Sequence, residues 1–504
     1  MLKVNASINA ARILAVFPTP SISHQVVFRP IIQELVKRGH EVTVVTPDPA
    51  FPEGQAPANL TEIDVHNVSY TLWQKLLELR DETGSDWIEK VMFLYDLMCK
   101  IFVQQMNESS LQELLLLKRN HFDLLLAEAC ARMTLALSHI FNVPVVQLSS
   151  FGSVAGNYEA FGAAFHPFLY PNMLRKRPYN LSFWGKVEGL YQEIKYYNLV
   201  KSTEERENLA LKILFGPDTP SIRELSNNVS LLLLNVHPIW DNNRPVPPNI
   251  VYMGGVHQNK EKELPQAIQL YLDSSENGVI YVSFGTNIKT STIPSEKIHV
   301  LSKVFSQLPY DVLLKWDDDD FPVRSRNVKI SKWLPQSDLL RHPKIKLFIT
   351  QGGLQSTDEA ITAGVPVIGI PMLGDQWYNV ANYERLKIGI GLEMYKLNAE
   401  QLLSAIKTVI EDKSYHQNIV RLRQFMHDQL QSPLERAVWS IEQVLRHGSA
   451  YSLRTPAANL SWTEYFELEF VFKLSVLLII ALVSFVILAL LICNYILKTK
   501  LKTD

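Results

Sequence analysis

The 504-residue chain reads as an α/β protein: two doubly wound parallel-sheet domains in tandem, then one transmembrane helix. Three observations carry this reading. The length exceeds what one hydrophobic core accommodates. A strand–helix–strand pattern opens near Arg12 and restarts near Val279. An uncharged run of twenty residues, Leu474 to Cys493, lies close to the C-terminus and matches the thickness of a bilayer core.

Taken in order, Arg12 to Phe17 is a buried strand, followed by a Pro/Ser turn from Pro18 to Ser23. A helical pattern runs to Arg38 and stops at Gly39, and a second strand spans Glu41 to Thr46. The unit recurs with a strand from Phe122 to Ala127, a helix from Arg132 to Phe141 and a strand from Val143 to Leu148. Phe161 to Lys201 is rich in aromatics without a clean period, which fits irregular core packing or the lining of an apolar pocket. Pro245, Pro247, Pro248 and the polar stretch from Gln258 to Glu263 mark a boundary. Beyond it, strands are expected at Val279–Phe284, Val312–Trp316, Val328–Ser331, Lys346–Thr350 and Val365–Ile370, with helices between them and two or three more up to about Leu445. The expected divisions are 1–245, a linker at 246–275, 276–450, a membrane-proximal segment at 451–473, the transmembrane helix at 474–496 and a basic tail at 497–504. Two such sheets in tandem bind ligands where their strand ends face a shared cleft.

Composition excludes several classes. With 47% apolar and 20% charged residues the chain is globular, and a net charge of −2 without a basic run argues against nucleic acid as a partner. Cys99, Cys130 and Cys493 form no disulfide framework, and no C-x-x-C pair suggests zinc. Cys493 falls in the membrane run, leaving at most one bridge, Cys99 to Cys130; two free buried thiols are the simpler reading. Lys498, Lys500 and Lys502 follow the run and Glu464, Glu467 and Glu469 precede it, so the positive-inside rule puts the tail in the cytosol and the rest in a lumen. Seven N-x-Ser/Thr sequons, at Asn5, Asn59, Asn67, Asn107, Asn180, Asn228 and Asn459, all fall on that lumenal side, as expected of a glycoprotein. Lys500 and Lys502 match a dilysine retrieval signal as well as ordinary membrane-flanking lysines, so the expected location is the endoplasmic-reticulum membrane, single-pass type I. Met1 to Arg12 contains no export signal, and a truncated or alternative start is the expectation.

The chemistry concentrates between Trp333 and Gln376. The strand Lys346–Thr350 runs into Gln351-Gly352-Gly353-Leu354-Gln355-Ser356, and a helix then carries Glu359. Glycines at a strand-to-helix turn let backbone N–H groups approach an anion, and the helix dipole adds about half a positive charge. Trp333-Leu334-Pro335-Gln336 follows the preceding strand, and Asp375-Gln376 follows the next one. Three successive strand ends thus offer an aromatic face, an anion cradle with a carboxylate, and a carboxylate–amide pair. Those are the needs of a nucleotide sugar.

The stretch from Trp333 to Asn382 resembles the signature of the UDP-glycosyltransferase family, the UDP-glucuronosyltransferase-like enzymes, in its membrane-bound animal form and insect branch. The resemblance implies a GT-B-like arrangement of two Rossmann-like domains, the first for the acceptor and the second for the UDP-sugar. It implies that Trp333 stacks on uracil, Gln336 contacts the nucleoside, Glu359 the ribose, and Asp375 and Gln376 the donor sugar. Thr286 matches a phosphate-contacting loop, and Gly353, Gln355 and Ser356 match the diphosphate site. Gln351 is a departure, because the family usually has histidine there; glutamine donates a hydrogen bond to phosphate but carries no charge.

Transfer to an acceptor hydroxyl needs a base, and histidine is the side chain poised near neutral pH. A histidine at His24's place is ordinarily a surface or capping residue; the resemblance makes it the general base, oriented by Glu128. The family generally has aspartate at that second position, and Asp123, at the start of its strand, is a poorer match. Asp317 to Asp320 suggests a metal motif but reads better as a solvated acidic turn. The expected reaction is inverting and needs no metal or other cofactor, the UDP-sugar being a co-substrate. UDP-glucose is the favoured donor, with UDP-glucuronate second, and the acceptors are small and lipophilic, as in detoxification. The resemblance leaves homo- or hetero-oligomers open. The alternative is a catalytically weak member that binds apolar ligands or regulates active partners.

Overall fold

The computed structural model describes residues 10–78, 87–154, 156–258, 261–286, 293–317, 321, 325–448 and 453–500. The amino-terminal stretch with Asn5, the aspartates at 318–320, and Lys502 lie outside the described residues.

Two parallel sheets form the body. The first contains β1 (Arg12–Val16), β2 (Glu41–Thr46), β3 (Leu60–Asp64), β4 (Leu124–Glu128), β5 (Val145–Ser149), β6 (Val229–Leu234) and β7 (Ile250–Tyr252), in the order β3-β2-β1-β4-β5-β6-β7. The second contains β8 (Val279–Ser283), β9 (Asp311–Lys315), β10 (Val328–Ser331), β11 (Ile345–Thr350), β12 (Val367–Gly369) and β13 (Gly389–Gly391), in the order β10-β9-β8-β11-β12-β13. β4, β5, β6 and β8 are buried along their whole length, as expected of central strands covered on both faces. The apolar runs Leu-Leu-Leu-Ala and Val-Ile-Tyr-Val meet that demand, because no polar side is needed. In each sheet the strand order reverses once, between β1 and β4 and between β8 and β11. Ligands of such sheets bind at the carboxyl ends of the strands beside the reversal.

Helix α1 (Ile22–Lys37) follows β1 and buries Val27, Phe28, Ile31 and Leu35, a three-and-four spacing that presses one face on the sheet. Helix α2 (Phe183–Phe215) takes up the end of the aperiodic stretch from Phe161 to Lys201 and runs on beyond it. Its buried stripe is narrow (Glu193, Tyr196, Leu199, Thr203, Glu207, Leu211), while Phe183, Trp184, Val187, Leu190 and Tyr191 are exposed. Apolar residues outside the stripe hide its period. Helices α3 (Leu354–Ala363) and α4 (Gln376–Arg385) follow β11 and β12.

Helix α5 (Pro433–His447) begins at a capping box, Ser432 with Glu435. It returns to the first sheet, where Ala437, Val438, Ile441 and Val444 join the core of Ile13, Ala15, Val27 and Leu231. Arg38 donates to Glu442 at 3.0 Å on the same seam. The chain thus crosses between its halves twice, and hydrogen bonds tie the two halves: Trp240 Nε1 donates to Asn379 Oδ1 at 2.8 Å and Tyr378 Oη donates to the Trp240 carbonyl at 2.9 Å. After the membrane-proximal segment, α6 (Leu468–Lys500) has one stretch, Leu468–Thr499, long and apolar enough to cross a membrane. Cys99, Cys130 and Cys493 are free.

Candidate active site

The first switch point assembles a histidine–carboxylate pair. Parallel register sets Val16 beside Ala127, so Glu128 emerges at the end of β4 just as the chain leaves β1 for Phe17 and its turn. That turn delivers His24 on the first turn of α1, and His24 Nδ1 lies 2.6 Å from Glu128 Oε1. Glu128 is almost fully buried, at 1% exposure, against 17% for the His24 side chain. Its second oxygen accepts from the Thr19 backbone N–H at 3.2 Å, and Cys130 Sγ donates to Oε1 at 3.3 Å. The histidine ring is thus held by Nδ1, and Nε2 is the nitrogen left to take a proton. Phe151 packs edge-on against the ring, with centroids 5.3 Å apart. His24, Glu128 and Cys130 also offer three ligand atoms within 4.8 Å of one another, joined by hydrogen bonds to Glu128 Oε1.

At the second switch point, β11 ends in Thr350 and turns through Gln351, Gly352 and Gly353 into α3. Gly352 has φ +89° and lies against Val380, where a Cβ would sit 2.7 Å from Cγ2, so both conformation and space call for glycine. Gly353 is the N-cap of α3, and the first-turn N–H groups of Leu354, Gln355 and Ser356 have no carbonyl within the helix to meet. Gln351 is buried with Oε1 lacking a hydrogen-bond partner among the described residues, and its amide nitrogen packs on Gly285. Lys315, at the end of β9, donates to the Gly285 carbonyl at 2.9 Å. Thr286 comes next in the chain and is exposed.

Gln336, Ser356 and Glu359 form one network. Gln336 Nε2 donates to Glu359 Oε2 at 2.7 Å and to Ser356 Oγ at 2.9 Å, while its Oε1 accepts from Tyr281 Oη at 3.1 Å. Burial raises the Glu359 pKa to about 6, against the opposing pull of Gln336. Trp333, three residues before Gln336, is 69% exposed and can be covered by a flat ligand. Asp375 is raised to about 6 by burial, and accepts from Asn379 Nδ2 at 2.8 Å.

Two predicted residues are engaged elsewhere in the protein. Gln376 Oε1 accepts the N–H groups of Met372 and Leu373, both at 2.8 Å, so this side chain shapes its own loop. Gln355 Nε2 reaches across to the first domain and donates to the Ser150 carbonyl at 3.0 Å. Asn379 escapes sequence reasoning. It ties the Gly352 carbonyl, Asp375 and Trp240 together, and its place one helical turn after Asp375 is the only signal the sequence carries.

Between the halves lies a cavity of about 400 Å³, lined by Gly152, Tyr158, Tyr196 and Val200 on the first-domain side and by Leu354 and Asp375 on the other. It therefore reaches from the acceptor-side helices to the Asp375 carboxylate.

Solved structures that align with this two-sheet plan include two glycosyltransferases. A UDP-glucose:anthocyanidin 3-O-glucosyltransferase in complex with UDP aligns with a TM-score of 0.59 at 14% identity, covering 87% of this chain and 100% of that one. The glycosyltransferase of kitacinnamycin aligns at 0.59 and 18% identity, covering 86% and 99%. The fold is therefore GT-B. Sequence carries the assignment further: the family described as UDP-glucoronosyl and UDP-glucosyl transferase matches residues 12–503. An ecdysteroid UDP-glucosyltransferase of Lymantria dispar multicapsid nuclear polyhedrosis virus is 39% identical over 464 residues, covering 90% of this chain and 91% of the viral protein. UDP-glucosyltransferase 2 of Dactylopius coccus is 31% identical over 469 residues, covering 92% and 89%. The chain belongs to the UDP-glycosyltransferase family and is a UDP-sugar-dependent glycosyltransferase.

Proposed function

We propose that this enzyme transfers glucose from UDP-glucose, with inversion, to a hydroxyl of a lipophilic acceptor held in the cavity between the domains. The observation that carries the proposal is the 2.6 Å contact of His24 with buried Glu128, at the strand ends facing the glycine turn. In this mechanism His24 Nε2 removes the acceptor hydroxyl proton while the oxygen attacks the anomeric carbon from the face opposite the diphosphate. The bond from that carbon to the UDP oxygen breaks, and UDP departs with the electron pair. Glu128 stabilises the imidazolium that results. The diphosphate is received by the first-turn N–H groups of α3 with Gly353, Gln351, Ser356 and Thr286, the uracil by Trp333 and Gln336, the ribose by Glu359 and the sugar by Asp375. No metal takes part in this scheme, because the helix N-terminus and amide donors meet the leaving charge.

The names of the viral relatives support a polyhydroxylated steroid as acceptor, and the cavity suits one: its aromatic walls also carry hydroxyl and carboxylate groups. We further place the enzyme in the endoplasmic-reticulum membrane, anchored through α6 with both domains lumenal; the charge step from Glu464, Glu467 and Glu469 to Lys498 supports that orientation. The deciding experiment incubates microsomes containing the full chain with UDP-glucose, UDP-glucuronate and UDP-galactose against ecdysteroids and simple phenols, and reads the anomeric configuration of the product by NMR. A β-glucoside of the steroid is expected. An α-linked product contradicts inversion, and transfer from UDP-glucuronate alone contradicts the donor.

A further inference from the structure

We infer that the membrane-proximal segment, Arg454 to Phe466, is a wall of the acceptor cavity and helps to select the acceptor; this rests on the reading that the cavity is where the acceptor binds. A simple tether between α5 and the membrane helix needs no fixed seat. This one has several. Asn459 N donates to the Glu159 carbonyl at 3.0 Å, and Arg223 Nη2 donates to the Asn459 carbonyl at 2.6 Å. Arg454 Nη1 donates to the Asn227 carbonyl at 2.9 Å. The seat also demands a glycine in the first domain: Gly162 has φ +66°, and a Cβ there would lie 2.5 Å from Thr455 Cγ2 and 2.7 Å from the carbonyl carbon of Ala457. Ala458 N, also backbone, would lie 2.7 Å away, so rotating the Thr455 side chain alone would not make room.

What the clamp holds in place is cavity surface. Ala457, Leu460, Tyr465 and Phe466 line the same space as Tyr197 and Val200 of α2 and, at the far end, Asp375. Phe466 lies two residues before α6, so the wall is continuous with the membrane helix. A lipophilic acceptor in this cavity touches the segment on one side while its hydroxyl is presented toward Asp375. Side chains at 457, 460, 465 and 466 then set how large a body fits behind that hydroxyl.

The test uses the full-length enzyme in lipid nanodiscs, with Leu460→Trp and Leu460→Ala in the segment and Val200→Trp on α2. For each, KM is measured for an ecdysteroid and for a small phenol, and UDP affinity is read by calorimetry as a check that the donor domain is intact. Leu460→Trp is expected to raise the steroid KM on the order of 10-fold and the phenol KM by less than about 2-fold, with UDP affinity unchanged. Leu460→Ala, which cannot overpack, should lower the KM of acceptors bulkier than the steroid. If Val200→Trp raises the steroid KM but neither Leu460 variant alters the ratio between acceptors, the segment is only a tether and the inference is overturned. If none of the three changes any acceptor KM, the cavity is not the acceptor site and the reading beneath the inference fails with it.

Discussion

Gln355 Nε2 donates to the Ser150 carbonyl at 3.0 Å, joining the first turn of α3 in the second domain to the residue that follows β5 in the first. Ser150 precedes Phe151, whose ring packs on His24, so one amide connects the anion-binding helix to the wall of the base. The same nitrogen is 3.4 Å from the Ser23 carbonyl, beside His24 itself. Gln355→Ala removes the connection and leaves the glycine turn intact. Turnover should fall by about 2- to 10-fold, the worth of one hydrogen bond, while UDP affinity stays unchanged. Steady-state kinetics with calorimetry of UDP checks this; a matching loss of UDP affinity would place Gln355 on the diphosphate instead.

His24→Ala should reduce turnover by ~10²- to 10⁴-fold with UDP binding intact, because the donor contacts belong to the other domain. Glu128→Gln keeps the shape and the Thr19 contact but removes the charge opposite the imidazolium, so its loss should fall between wild type and His24→Ala. Single-turnover rates at saturating donor separate the two variants. A collapse of UDP affinity in either one would make the pair structural.

Much of this site is legible in the sequence because strand ends are. β1, β2, β8 and β11 are apolar runs stopped by Pro or Gly, and the residues just past each stop fall on one edge of a parallel sheet. Chain order therefore sets His24 after β1, Gln351 after β11 and Asp375 after β12, while their roles come from the family resemblance. Long-range choices are not written that way. The return of α5 to the first sheet rests on Ala437, Val438, Ile441 and Val444, an apolar face that would suit either domain. Three-residue strands such as β7 and β13 are too short to show a period. Gln355 and Gln376 match the family pattern, but their hydrogen bonds to the Ser150 carbonyl and to the N–H groups of Met372 and Leu373 are not legible in it.

Asp358 should make the protein less stable as pH rises. Its carboxyl is buried, Oδ2 has no hydrogen-bond partner among the described residues, and burial raises its pKa to about 8 from an ordinary 3.8. Between those values the folded chain holds a proton that the unfolded chain releases. Asp358's favourable contribution is thus complete below about pH 4 and lost as pH climbs toward about 8. Asp358→Asn is neutral at every pH, so it should raise Tm at pH 8, raise it less at pH 5, and flatten the slope between. Differential scanning fluorimetry across that range checks it; an identical slope in both proteins would show that the carboxyl is not buried as an acid.

The sequons divide by what their amides already do. Asn67, Asn107, Asn180 and Asn228 are exposed and can carry a glycan. Asn59 Nδ2 donates to the carbonyls of Val36 and His40, both at 2.8 Å, and Asn459 Nδ2 donates to Ser226 Oγ at 3.3 Å. A sugar on Asn59 would displace its two bonds and leave two carbonyls at the end of α1 without that donor; a sugar on Asn459 would break its hold on Ser226. Glycopeptide mass spectrometry of the folded enzyme should find occupancy among the first four and none at Asn59 or Asn459. Full occupancy at Asn59 would mean that the α1–β2 corner is packed differently.

Gln351 is the test of the donor site, because its environment is unusual for a buried amide. It stands where the family usually has histidine, its Oε1 lacks a hydrogen-bond partner among the described residues, and its Nε2 lies against Gly285, which sits at φ +79°. A buried amide oxygen without a partner is costly, and either a ligand or rotation of the amide would relieve it. If the amide serves the UDP phosphates, Gln351→Ala should weaken UDP binding by about 1–2 kcal/mol, or about 5- to 30-fold. Gly285→Ala should weaken it too without removing any polar group, because the new methyl must push the Gln351 side chain aside. Gln351→His should be tolerated, since an imidazole N–H can still donate, and charging of the ring at acidic pH should then favour the anion. Glu359→Ala should add its own loss roughly independently, since Gln336 bonds Glu359 and Ser356 but no bond joins it to Gln351 among the described residues. Calorimetric titration of UDP into the detergent-solubilised full chain measures all four. Unchanged affinity in both Gln351→Ala and Glu359→Ala would remove the nucleotide from this turn, while a loss in Gly285→Ala alone would mean that the loop's shape, not the amide, receives the phosphate.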